Sequence, residues 1–151
     1  MIVEGSYTLP GKPEAVWDLL MDPDVLAKAM PGTRTLAKTA ADRYEGTMAV
    51  GIGPITAAEF EISITLREVK RPDSYTMQIE GKGRFGFTRG TAQVELAATP
   101  EGACTAMGYH ADLQVGGKIA GLGQRLLDSV SRMLTRQGLQ SLQREVAARL
   151  G

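Results

Sequence analysis

Val115-Gly116-Gly117-Lys118-Ile119-Ala120-Gly121-Leu122-Gly123 closes a strand-like pattern and opens a helical one that runs without a proline to Gly151. At 100° per residue, Ile119, Leu122, Leu126, Val130 and Met133 fall on one stripe, with Leu127 and Leu134 on its flank. Arg125, Asp128, Arg132 and Arg136 fall opposite. About thirty residues of helix span roughly 45 Å. A helix of that length after many strands must lie across the sheet they form, because the dry faces of both need cover. Gly116-Gly117 sits where strand period gives way to helix period and reads as a hinge.

The second half of the predicted helix keeps a different row. Leu142, Val146 and Leu150 continue at i, i+4, nearly opposite the first stripe, and the change of face falls around Gly138. Two readings follow. Either the helix kinks to follow a twisted sheet, or its tail leaves the domain and meets a partner.

Composition narrows the function classes. The 151 residues suit one domain with a single core, spanning 1–151. Lys plus Arg and Asp plus Glu are both 17, a formal net charge of zero. Nucleic-acid binding needs a cationic surface and is not expected. No run of five like charges suggests a polybasic anchor, and no apolar segment approaches the roughly 20 residues of a bilayer span. Met1-Ile2-Val3-Glu4 enters a strand pattern directly, and Cys104 stands alone, so a reducing, cytoplasmic setting is expected.

Upstream, turn chemistry cuts the chain into short elements. Ile2–Leu9 alternates as a strand, with Val3, Tyr7 and Leu9 on one face. Pro13 and Pro23 each sit where a first helical turn tolerates a missing N–H, opening two short helices that end at Pro31-Gly32. About six strands follow. In the longest, Thr56–Val69, Ala58, Phe60, Ile62, Ile64 and Leu66 oppose Glu59, Glu61, Ser63, Thr65 and Arg67. Val94 and Leu96 oppose Gln93 and Glu95, and Met107, Tyr109, Ala111, Leu113 and Val115 oppose His110, Asp112 and Gln114. Such alternation predicts antiparallel strands with one dry face. The fold class is α+β: a curved antiparallel sheet of about seven strands wrapped around a long C-terminal helix, with two short helices between strands one and two. A cylinder cannot fill a concave sheet, so a cavity between them is expected.

Three patches carry a resemblance to a known family: Ala29-Met30-Pro31-Gly32; Gly81-Lys82-Gly83 through Phe87 and Gly90; and Val115 to Gly123 at the hinge. They resemble the CoxG family of carbon monoxide dehydrogenase subunits, within the START/helix-grip (SRPBCC) superfamily of START domains, the birch-pollen allergen and polyketide cyclases. The likeness covers essentially the whole chain, and the hinge patch is its most specific part. The family often has cysteine where Met30 stands, so no thiol role carries over. Some members continue into a membrane-attaching tail; at most peripheral membrane contact is expected here. The resemblance implies an accessory subunit of a molybdenum-hydroxylase-type dehydrogenase, with a pocket for a quinone or lipid and no catalysis of its own. Dehydrogenase subunits and a second copy of the chain, as a homodimer, are the implied protein partners.

The residues themselves point the same way. The faces read as inward carry Val, Ile, Leu, Met, Phe, Tyr and Ala, whereas an enzyme of this fold wants a positioned acid or base. A cyclase- or hydrolase-like enzyme and a ligand-free assembly factor remain the competing readings. His110 reads as exposed and idle, and one histidine with one cysteine offers no metal constellation. No cofactor is expected. Methionines at 21, 30, 48, 77, 107 and 133 suit either core filling or a pocket for a flexible apolar ligand. Tyr44, Phe60, Tyr75 and Tyr109 offer ring surfaces for a quinone, or simply strand-face packing. The glycines from Gly81 to Gly90 read as bulges or bends of a curving sheet. The candidate ligand walls are Met48, Phe60, Met77, Tyr109, Ala111, Leu126 and Val130.

Overall fold

Each alternating segment is a strand in the computed structural model, which describes residues 1–150. The strands are β1 (Ile2–Pro10), β2 (Thr33–Ala40), β3 (Arg43–Ile52), β4 (Ile55–Lys70), β5 (Ser74–Gly83), β6 (Gly86–Ala98) and β7 (Cys104–Gly116). Helices α1 (Pro13–Met21) and α2 (Pro23–Ala29) lie between β1 and β2, and α3 (Gln124–Leu150) follows β7. The seven strands form one antiparallel sheet in the order β1-β7-β6-β5-β4-β3-β2. Because β2 to β7 run as successive hairpins and β1 pairs with β7, the chain's first strand lies beside the strand that delivers it to α3.

The faces fall as the alternation requires. Phe60, Ile62, Ile64, Val94, Leu96 and Met107 are buried, and Glu59, Glu61, Gln93, Glu95 and His110 are exposed. Leu113, expected among the buried set, is only half-buried. A one-residue slip would have inverted the whole pattern.

α1 and α2 start as their prolines dictate, and the Asp22 carboxylate caps α2 by accepting from the Asp24 N–H at 2.9 Å. Their apolar sides join the larger core cluster with Leu9, Val16, Trp17, Leu20, Val25, Tyr44, Ile64, Tyr75 and Leu96. A smaller cluster of Ile52, Ala58, Phe60, Ile62, Ile119 and Leu127 lies at the other end of the sheet.

Two expectations about the last helix need correction, and one open choice is decided. α3 starts at Gln124 and is 27 residues long. Lys118–Leu122 is a separate 3₁₀ turn, set off by Gly117 at φ 78° and Gly123 at φ 100°, which an L side chain rarely adopts. Second, of the two readings for its tail the one that keeps it on its own sheet holds: α3 continues through Gly138, and Leu142 and Val146 are buried in the larger cluster. Gly138 packs against the end of α2, where a Cβ would overlap the Ala29 carbonyl oxygen. Third, the first stripe does not face inward as a whole. Ile119 and the flanking Leu127 are buried, Leu122, Leu126 and Val130 are half-buried, and Met133 is exposed at 41%. The glycine-rich β5–β6 hairpin pairs without a register shift, so its glycines mark no bulge.

Candidate functional site

The concave face of the sheet is closed at both ends and open between them. Along β5, β6 and β7 its residues are Tyr75, Met77, Ile79, Gly90, Ala92, Val94, Met107, Tyr109, Ala111 and Leu113. Tyr75, Val94 and Met107 are buried under α1 and the tail of α3. Met77, Ile79, Gly90, Tyr109, Ala111 and Leu113 keep intermediate exposure although they sit on inner strands of the sheet. Side chains on an inner strand that face the helix and remain accessible border space that the helix does not fill. The row Leu66–Met77–Ala92–Ala111–Val3 runs from β4 to β1, and its two alanines keep that space shallow-walled.

An open groove of about 890 Å³ lies along this side of the molecule, between β1 and α3. Its sheet wall carries Val3, Tyr7 and Tyr109, and its helix wall carries Asp128, Arg132, Thr135, Arg136 and Leu139. Tyr109 swings over Gly5, where any Cβ would meet the phenol. The Tyr7 hydroxyl donates to Gln143 Oε1 at 2.6 Å, tying β1 to α3 below the groove. Tyr7, Tyr109 and Leu139 also pack against the larger core cluster, as do Met77 and Ile79. Tyr109 is the residue that the groove and the less-covered strip of the sheet have in common.

The seven candidate residues do not gather in one place. Met48 and Phe60 are cross-strand partners on β3 and β4 and, with Val130, belong to the smaller cluster. Met48 and Phe60 also edge a second groove, of about 730 Å³, whose rim is charged by Arg34, Glu59, Lys82 and Arg84. Leu126 reaches Gly53 in the β3–β4 turn. Met77 and Ala111 border the uncovered strip, and only Tyr109 of the seven lines the larger groove. The residues the sequence reading missed are Tyr7, Leu139, Arg132 and Arg136. The signal for them was the change of face at Gly138, which turns the charged side of the first half of α3 toward β1.

Two of the tyrosines offered as ring platforms are committed to the core. The Tyr44 hydroxyl donates to the Met21 carbonyl at 2.6 Å, and Tyr75 meets Trp17 edge to face at 5.1 Å. Burial raises the pKa of both phenols, with Asp22 adding to the effect at Tyr44 and Tyr44 adding to it at Tyr75. His110 faces outward as expected, and its Nδ1 lies 2.8 Å from Oε2 of its cross-strand neighbour Glu4. Among the described residues no three His, Cys, Asp or Glu side chains gather as a metal site, and no helix is long and apolar enough to cross a membrane.

Comparison with known proteins places this architecture. A conserved protein from Geobacillus kaustophilus, solved by crystallography, superposes with a TM-score of 0.89 at 30% identity, covering 98% of this chain and 96% of that one. The Zhui aromatase/cyclase from Streptomyces sp. R1128 gives 0.72 at 13% identity, over 100% and 96% of the two chains. A START superfamily protein from Mycobacterium smegmatis gives 0.72 at 10% identity, over 97% of each. The latter two show the shared helix-grip fold alone. No curated protein matches the chain significantly. The model of the CoxG family, described as a subunit of carbon monoxide dehydrogenase, matches residues 5–147, nearly the whole of the described fold, and the chain belongs to that family.

Proposed function

We propose that this protein is a binding subunit for a hydrophobic small molecule, quinone- or lipid-like, that serves a carbon-monoxide-dehydrogenase-type molybdenum hydroxylase without catalysing its reaction. The observation that carries the reading is the half-buried apolar strip of Met77, Ile79, Ala111 and Leu113 on inner strands, next to Tyr109, which lines the groove beside α3. Apolar surface left accessible inside a folded sheet costs roughly 25 cal/mol per Å², and a ligand that covers it recovers that amount. Family membership supplies the dehydrogenase partner in this proposal, and a homodimer is the alternative protein contact. Binding is favoured over catalysis because the strip offers no carboxylate, imidazole or amine to move a proton.

The test is native mass spectrometry of the protein purified without detergent, followed by thermal shift. A co-purified quinone or lipid is expected, and re-adding it to stripped protein should raise Tm. A ligand bound only to the folded state stabilises it by about 2.7 kcal/mol at a hundred times its Kd. No co-purified molecule, and no shift across quinones, fatty acids and isoprenoids, would leave the assembly-factor reading in its place.

A further inference from the structure

The groove carries two arginines, Arg132 and Arg136, and two carboxylates, Glu4 and Asp128. Arg34, Arg43, Arg71 and Arg149 each meet a carboxylate elsewhere on the protein. Arg132 and Arg136 both line the groove, and neither lies within 4.0 Å of a carboxylate oxygen among the described residues. The two acids have other hydrogen-bond partners: Glu4 lies against His110, and Asp128 accepts from the neutral Gln124 amide at 2.7 Å, which leaves its charge one turn from Arg132 but not in contact with it. Two guanidiniums one helical turn apart repel each other and weaken the helix that carries them. An anion between them removes that repulsion and gains charge-assisted hydrogen bonds. Tyr109 and Leu139, in the same groove, lead from the pair to the apolar strip.

Resting on the hydrophobic-ligand reading above, we propose that the groove takes a single-chain amphiphile. Its carboxylate or phosphate head sits between Arg132 and Arg136, and its apolar chain passes Tyr109 and Leu139 onto the concave sheet face. A neutral ring or ester uses only the second half of this site.

The experiment is calorimetric titration of stripped protein, below the micelle concentration, with dodecanoate, dodecyl phosphate and methyl dodecanoate. In the wild type, at least one acid should bind about tenfold or more tightly than the ester, the size expected of a charge-assisted pair in a half-open groove. Raised salt should weaken the acids and spare the ester. In the exposed double variant Arg132→Gln/Arg136→Gln the acids should fall to the level of the ester, while Tm without ligand holds or rises slightly as the mutual repulsion is removed. The better acid identifies the head, carboxylate or phosphate. Equal binding of acid and ester in the wild type, or a preference that survives in the double variant, overturns the anion anchor and leaves hydrophobic binding standing. No binding of any of the three overturns both.

Discussion

Two phenols, Tyr44 and Tyr75, lie where water barely reaches them, and burial raises the pKa of each above the ordinary tyrosine value of 10.0. The folded protein therefore holds protons that the unfolded chain releases once pH exceeds about 10. Folded and unfolded states bind these protons equally below that value, so stability is unaffected there and falls as pH rises above it. Lysines titrate in the same range, so the informative quantity is the difference between variants. In urea denaturation at pH 8 and pH 11, Tyr75→Phe should lose less stability between the two conditions than the wild type. Equal losses would mean that the buried phenol does not set the alkaline limit. Alternation in the sequence correctly put both tyrosines on the inner face. It did not reveal that Trp17 would cover Tyr75 or that the Met21 carbonyl would accept from Tyr44. Strand period fixes the face a side chain takes, and nothing local says which helix comes down on it.

At the level of the element, α3 is two half-helices of different duty joined without a break. From Gln124 to Arg136 only Leu127 is fully buried, whereas from Gly138 on, Leu142 and Val146 are. The joint is Gly138, held against Ala29 and Pro31. Glycine inside a helix costs about 1 kcal/mol relative to alanine, so Gly138→Ala would stabilise an isolated helix. Here the new Cβ would overlap a backbone oxygen that cannot swing aside as a flexible side chain does. The net outcome should be a loss on the order of 1–3 kcal/mol, the usual cost of overpacking. A urea midpoint at or above that of the wild type would show that α2 yields and that the close approach is not required. The helix itself was legible in the sequence, and so was its change of face. Its start was not, because Ile119 and Leu122 keep the i, i+3 spacing that a 3₁₀ turn and an α-helix share.

For the whole molecule, the question is what the sheet and α3 leave between them. A single antiparallel sheet was readable from the alternating strands and their turns, but its order, with β1 beside β7, was not, nor was the side of α3 that would cover it, since the two halves of its apolar row disagree. The result is a helix seated at its ends, by Leu127 in the smaller cluster and by Leu142 and Val146 in the larger one. Between those seats its polar side borders a groove lined on the sheet side by Val3, Tyr7 and Tyr109, with half-buried Met77, Ala111 and Leu113 farther along the same face. That arrangement explains why the candidate residues scattered. Met48, Phe60 and Val130 belong to one of the seats, and Met77, Tyr109 and Ala111 border the space. Ala111 separates the two explanations of that space. It pairs with Ala92 on one side and Val3 on the other, so this stretch of the concave face is built from small side chains. If the space is a ligand site, Ala111→Phe fills it: a strand accepts the aromatic ring readily, Tm without ligand should hold or rise, and the thermal shift given by a quinone or fatty acid should shrink. If the space is only a packing fault, the added ring should raise Tm by the same burial, and no ligand shift should exist in the wild type to be lost. A wild-type shift that survives Ala111→Phe undiminished would move the site away from β7 altogether, toward the groove edged by Met48 and Phe60.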